Sequence, residues 1–168
     1  MKPQLGPVQS AAPTCPVLLR AAEPITREQL TTTLADCPGA LEDSLRVIDS
    51  GIPCHPCGEI DLLAVDRLYR LTIIDVETTL GEWLLLRGVS HVDWIARNLA
   101  NVRRMYPELR IDFSRPPRLL LVAPRFSPLL RSAVRQISHP EVTCVRYHGV
   151  ELPAGSGILF EPVVSDAD

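Results

Sequence analysis

Lysine is almost missing from this chain. Of its 17 basic residues 16 are Arg, and the single Lys is Lys2. That excludes a Schiff-base enzyme, a P-loop nucleoside triphosphatase with its phosphate-binding Lys, and a Lys general base within the fold. Aromatic residues make up only 5% of the chain. Trp83, Trp94 and Tyr106 are therefore expected to serve the core before they serve as stacking platforms for bases. Long apolar runs are absent too. The first one, Val17 to Leu19, is too short for the core of a signal peptide, and nothing reads as a membrane span. There is no GxGxxG or GxxxxGK loop and no internal repeat. The five Cys are an odd number without a secretory signal, so the thiols are read as reduced and the protein as cytoplasmic.

What is present suits one soluble domain. The 168 residues are 46% hydrophobic and 22% charged, enough to bury a core without disulfide or metal staples. The net charge of -3 shows no overall basicity, but it is unevenly spread. Residues 1–85 hold 6 basic and 12 acidic side chains, residues 86–147 hold 11 Arg and 4 acids, and residues 148–168 hold 4 acids and no base. An acidic front half and an Arg-rich second half suit a cation site beside an anion-holding surface. The same pattern also arises when Arg merely solvates exposed helix faces.

Residues 1–24 carry Pro3, Pro7, Pro13, Pro16 and Pro24 and read as a mobile arm. Thr26-Arg27-Glu28-Gln29 has the form of a capping box and predicts a helix over 27–35. Leu41, Leu45 and Ile48 recur at helical spacing and predict a second helix over 40–49. Glu59–Val65 and Leu71–Thr78 read as strands joined tightly enough for an antiparallel hairpin. Residues 79–87 are apolar and ambiguous. A helix is expected over 90–106, a buried strand over Arg118–Ala123, a helix from Pro128 to Ile137, a strand over Val142–Tyr147 and an edge strand over Ile158–Val164. The expected fold is α/β, a mixed central sheet flanked by helices, forming one domain over 25–164 with an acidic tail at 165–168.

The chemistry-bearing residues sit on the hairpin. Asp75 and Glu77 are two apart on an apolar strand and so project from one face, and Asp61 on the partner strand can join them. Carboxylates held this close raise one another's pKa, and a hard divalent cation relieves the repulsion. Such a cation can activate water at a phosphodiester. Acids on the solvated face of a strand would look the same.

The stretch Gly58 to Asp66, a short turn, and then Leu71 to Glu77 resembles the core of the PD-(D/E)XK nuclease superfamily, the restriction-endonuclease-like fold. The likeness extends through the helix at 90–106 to the Arg118–Ala123 strand and covers roughly residues 27–150. The resemblance implies a metal-dependent DNA endonuclease using Mg²⁺ or Mn²⁺. Asp61 matches the first metal-binding Asp and Asp75 the second ligand. Glu42, or Glu28 as a lesser candidate, matches the helix-borne acid of many members. Arg87, His91, Arg97 and Arg104 are the expected nucleic-acid contacts, His91 standing where some members carry Gln. Glu77 stands where members most often have Lys. Some members carry Glu there and cleave, with the Glu as ligand or base. The alternative is a degenerate nuclease fold that binds nucleic acid or a protein partner without turnover. A homodimer is a further implication, since many members pair. The loop Cys54-His55-Pro56-Cys57 has one CxxC pair and no second, which falls short of a closed zinc site.

Overall fold

The computed structural model of the chain describes residues 20–153 and 155–163. Residues 1–19 of the expected arm, the 165–168 tail and the last residue of the expected edge strand lie outside them. The elements, in order, are β1 (Arg20–Ala21), α1 (Arg27–Asp36), a 3₁₀ turn (Pro38–Ala40), β2 (Arg46–Pro53), β3 (Glu59–Val65), β4 (Leu71–Val76), α2 (Leu84–Arg97), α3 (Leu99–Met105), β5 (Arg118–Ala123), α4 (Pro128–Gln136), β6 (Val142–Leu152) and β7 (Gly155–Pro162).

They form a mixed seven-stranded sheet in the order β1-β6-β5-β4-β3-β2, with β7 also paired to β6. β2, β3 and β4 are an antiparallel meander, whereas β4, β5 and β6 run parallel, linked by helices. The expected class is thus the observed one: a mixed sheet with helices on both faces.

Alternation along the central strands assigns the two faces. Ile74, Val76, Leu120 and Val122 point towards α1, whose Leu30 and Leu34 are fully buried among them. Ile73, Leu119 and Leu121 point the other way and pack with Val92 and Ile95 of α2, Val102 of α3 and Leu130 of α4. Each buried Leu of this kind contributes about 2 kcal/mol. Thr26 and Gln29 bond reciprocally at the start of α1, as the capping box predicts, and Ser127 caps α4 with Pro128 at its first position, whereas α2 has no side-chain cap. Gly88 lets α2 lie directly on β5, because a Cβ there would come within 2.6 Å of a Leu119 methyl.

Several segments depart from the sequence reading. Residues 20–21 of the expected arm pair with β6 as β1, β6 runs on to Leu152 past the expected Tyr147, and β7 begins at Gly155 before the expected Ile158. Residues 40–49 are not a helix. Ser44 takes a positive φ of 65°, which ends the turn, and the chain then pairs with β3 as β2. The expected 90–106 helix starts earlier, at Leu84, and breaks at Asn98, whose side-chain amide donates to the Trp94 carbonyl. This resolves most of the ambiguous 79–87 stretch into helix.

A carboxylate cluster closed by arginine and histidine

The β3–β4 pairing ends at Leu62 opposite Ile74. Beyond it the Val76 N–H has no strand partner on that side, and Asp61 Oδ2 accepts it at 2.8 Å. Arg27, at the first position of α1, grips the same carboxylate: Nε and Nη2 lie 2.9 and 2.6 Å from Oδ1, and Nη2 lies 2.7 Å from Oδ2. Arg87 of α2 adds Nη2 at 3.5 Å from Oδ2. The Asp61 side chain is 5% exposed. Burial is the largest influence on it and pushes its carboxyl above the usual range. The Val76 N–H and Arg27 pull it down, and the Asp75 charge pushes it up again.

Asp75 points under α2, where His91 lies one turn beyond Gly88. Both side chains have no exposure. His91 Nδ1 is 2.8 and 3.0 Å from the two Asp75 oxygens, and Nε2 is 3.1 Å from the Cys57 carbonyl. A carbonyl only accepts, so Nε2 carries a proton. The Nδ1–carboxylate contact then needs a second proton, on the ring or on the carboxyl. Either way the pair is neutral as a whole, which is what makes it tolerable in the core.

Glu77 lies just past the end of β4 and is a quarter exposed. Its Oε1 accepts the Thr78 N–H at 2.9 Å, and its Oε2 is 3.9 Å from Arg87 Nη1. Glu42 is elsewhere. It pairs with Arg118 at 2.7 Å, and Arg118 also reaches Thr72, at the opposite end of β4 from Val76. Four residues of strand place that pair about 13 Å from the Asp61 end. Glu28 is exposed on α1.

The structure therefore brings Asp61 and Asp75 onto adjoining strands with Glu77 beyond them, and leaves Glu42 and Glu28 apart. Among the described residues no group of three or more His, Cys, Asp or Glu side chains is placed to hold a metal ion. A hard cation needs free oxygen lone pairs. Both Asp75 oxygens face His91 inside the core, and both Asp61 oxygens are engaged by guanidinium. The residues present do not fit Mg²⁺ or Mn²⁺ in this arrangement.

The expected nucleic-acid contacts are scattered. Arg87 turns inward and also donates to the Val76 carbonyl at 2.7 Å. His91 is buried. Arg97 is 77% exposed and pairs with Asp93 on its own helix, and Arg104 bonds Asn101 one turn back. Other Arg side chains line a different groove, a cavity of about 1080 Å³ beyond the ends of β4 and β5. It is walled by Thr78, Leu80, Arg125, Arg131, Arg146 and His148 among others, with Glu23 and Glu82 also in its lining. Arg146 and His148 lie 3.6 and 3.5 Å from Glu161. The Arg131 Nε is buried without a hydrogen-bond partner.

Arg27, which holds Asp61, is a cluster residue that the sequence reading missed. Its signal was present: residues 27, 30 and 34 share one helix face. An Arg in line with two buried Leu calls for a buried acid. The Cys54–Cys57 loop serves the cluster through its backbone, with the Cys57 carbonyl holding His91. Burial pushes the Cys54 thiol up to about 11, so little of it is thiolate at neutral pH.

No family model matches the sequence, and no curated protein matches it. Solved structures similar to the chain include a repair endonuclease from Pyrococcus abyssi, 12% identical over 74% of this chain and 48% of that one, with a TM-score of 0.48. Others are an EndoMS-dsDNA2 complex, 12% identical over 66% and 41% with a TM-score of 0.44, and EndoMS in apo form, 14% identical over 68% and 44% with a TM-score of 0.41. The chain spans less than half the length of each. At this level of likeness they carry no functional weight.

Proposed function

We propose that this chain is a nuclease-fold domain of the PD-(D/E)XK type that binds nucleic acid, DNA first, without cleaving it. One observation carries the reading. Both carboxylates that would need to meet a metal are already held by protein groups, Asp61 by Arg27 and Arg87, and Asp75 by His91. The order of elements and the positions of Asp61 and Asp75 on adjoining strands support the family reading. Glu77 in place of the motif Lys, in a chain whose one Lys is Lys2, supports the loss of turnover.

Binding rests on the groove beside this cluster. Arg125, Arg131 and Arg146 can meet phosphate oxygens, and the apolar wall of Leu80 and Phe126 can take the face of a sugar or base. The test is fluorescence anisotropy with labelled single- and double-stranded DNA and RNA, in chelator, over a salt series. Two or three phosphate contacts predict a log–log salt slope of about -2 to -3. Binding should weaken with Arg125→Ala and Arg131→Ala. Absence of binding, or indifference to salt, would overturn the reading. The weight would then move to a protein partner, which a separate observation favours: Trp83, Leu86 and Leu129 are 77%, 60% and 76% exposed around one apolar groove between α2 and α4.

A further inference from the structure

The misfit between the cluster and a metal ion has a regular form. The oxygens at this end of the sheet are those of the Asp61 carboxylate, the Val76 carbonyl and the Glu77 carboxylate. They are hard donors, the kind that Mg²⁺ or Mn²⁺ takes. Each of them faces one of two guanidinium groups. Arg27 holds both Asp61 oxygens at 2.6 to 2.9 Å. Arg87 reaches the Val76 carbonyl at 2.7 Å, Asp61 Oδ2 at 3.5 Å and Glu77 Oε2 at 3.9 Å.

The charges match as well. Asp61 and Glu77 together carry two negative charges, and Arg27 and Arg87 together carry two positive ones. The Asp75–His91 pair is neutral and balances itself. Arg87 is drawn in far enough that its Nε is buried with no hydrogen-bond partner. That cost is understandable if its terminal nitrogens are needed among these oxygens.

We propose that Arg27 and Arg87 act together as a protein-borne substitute for a divalent cation. They converge on the oxygen set a cation would need and supply the same charge, so the domain stands without metal and its site admits one only when the guanidiniums are removed. Arg suits this task and Lys does not. The planar fork grips a carboxylate through two parallel bonds and does not lose its proton. The proposal rests on the nuclease-fold reading of the cluster. No nucleic acid enters its test, so its failure and a failure of nucleic-acid binding are told apart.

The test is calorimetric titration of Mn²⁺ into the full chain, the Arg27→Ala variant and the Arg27→Ala/Arg87→Ala double variant, with thermal unfolding in chelator and in Mn²⁺. The unchanged chain should show no saturable heat and the same Tm in both. The double variant should bind Mn²⁺ about one to one and gain Tm in Mn²⁺ but not in Na⁺ of equal ionic strength. Adding Asp61→Asn should remove both effects. If the double variant is unfolded in chelator, refolding on Mn²⁺ supports the proposal and failure to refold overturns it. Saturable Mn²⁺ binding by the unchanged chain that Asp61→Asn abolishes overturns it, as does a folded double variant indifferent to Mn²⁺.

Discussion

The two ends of the β3–β4 hairpin carry the same residue types to opposite effect. At the turn end, Asp66 Oδ1 accepts the N–H groups of Leu68 and Arg70 at 2.8 and 2.9 Å, and Oδ2 accepts Arg70 Nε at 3.2 Å. Arg118, 7% exposed, ties Asp66 to Glu42, and Arg70 reaches Glu141 at 2.7 Å. At the open end, Asp61 has one backbone N–H and two Arg side chains. Burial pushes both carboxyls up. The turn's N–H groups and Arg70 reverse the sign at Asp66, leaving it below the usual range, whereas Asp61 stays above it. Two backbone N–H groups of its own turn, with Arg70, bring Asp66 down, whereas Asp61 has one backbone N–H and the Asp75 charge beside it and stays up. The turn end is a clamp. The open end is a site whose charge the fold tolerates rather than exploits.

The largest expected effect lies at the open end. Asp75→Ala or His91→Ala breaks a buried pair and strands its partner, at a cost of about 3–5 kcal/mol. Urea unfolding measures it, and the Asp75→Ala/His91→Ala double variant should lose clearly less than the sum of the two. Arg118→Ala at the clamp leaves Glu42 and Asp66 without their shared cation and should cost about 3 kcal/mol. Should Arg118→Ala prove harmless, the clamp reading fails. Arg27→Ala should cost less, about 2 kcal/mol, because Arg27 is 41% exposed and water can replace part of its contact.

A pH series sharpens the contrast. Asp66, lowered in the fold, contributes stability that is present above its unfolded value of 3.8 and is lost as pH falls through the folded value. The deficit of Asp66→Asn relative to the unchanged chain should therefore shrink on acidification. Asp61, raised in the fold, costs stability as it ionises, so the unchanged chain should lose ground to Asp61→Asn as pH rises from 3.8 through the folded value. Unfolding curves over this acid range read both, and slopes of the same sign would break the comparison. Smallest of all, Arg97→Ala should leave stability unchanged in the same assay, since the exposed Arg97–Asp93 pair contributes little.

The hairpin was legible because its strands are nearly continuous β-branched and Leu runs, and both are almost fully buried. β2 was not legible. Only Ile52 on it is buried, and a register shift between Val47 and Asp49 blurs the alternation, so Leu41, Leu45 and Ile48 mimic a helix. Asp61 and Asp75 are where the sequence puts them, on adjoining strands. Their partners are long-range: Arg27 is 34 residues from Asp61, and His91 is 16 from Asp75. No local pattern links such residues. The His91 ring is held by Asp75 on one side and the Cys57 carbonyl on the other, two elements far from it in the chain. The groove Arg residues come from the β5 exit, α4 and β6, which only the finished sheet brings together.

The most direct test of the central claim is a cleavage assay on the preparation that binds nucleic acid. Single- and double-stranded DNA and RNA are incubated with the chain in excess Mn²⁺ and, separately, Mg²⁺, and the products are resolved on denaturing gels. A domain that binds without cleaving leaves the strands intact with either metal. Metal-dependent cleavage that Asp75→Asn abolishes would contradict that claim.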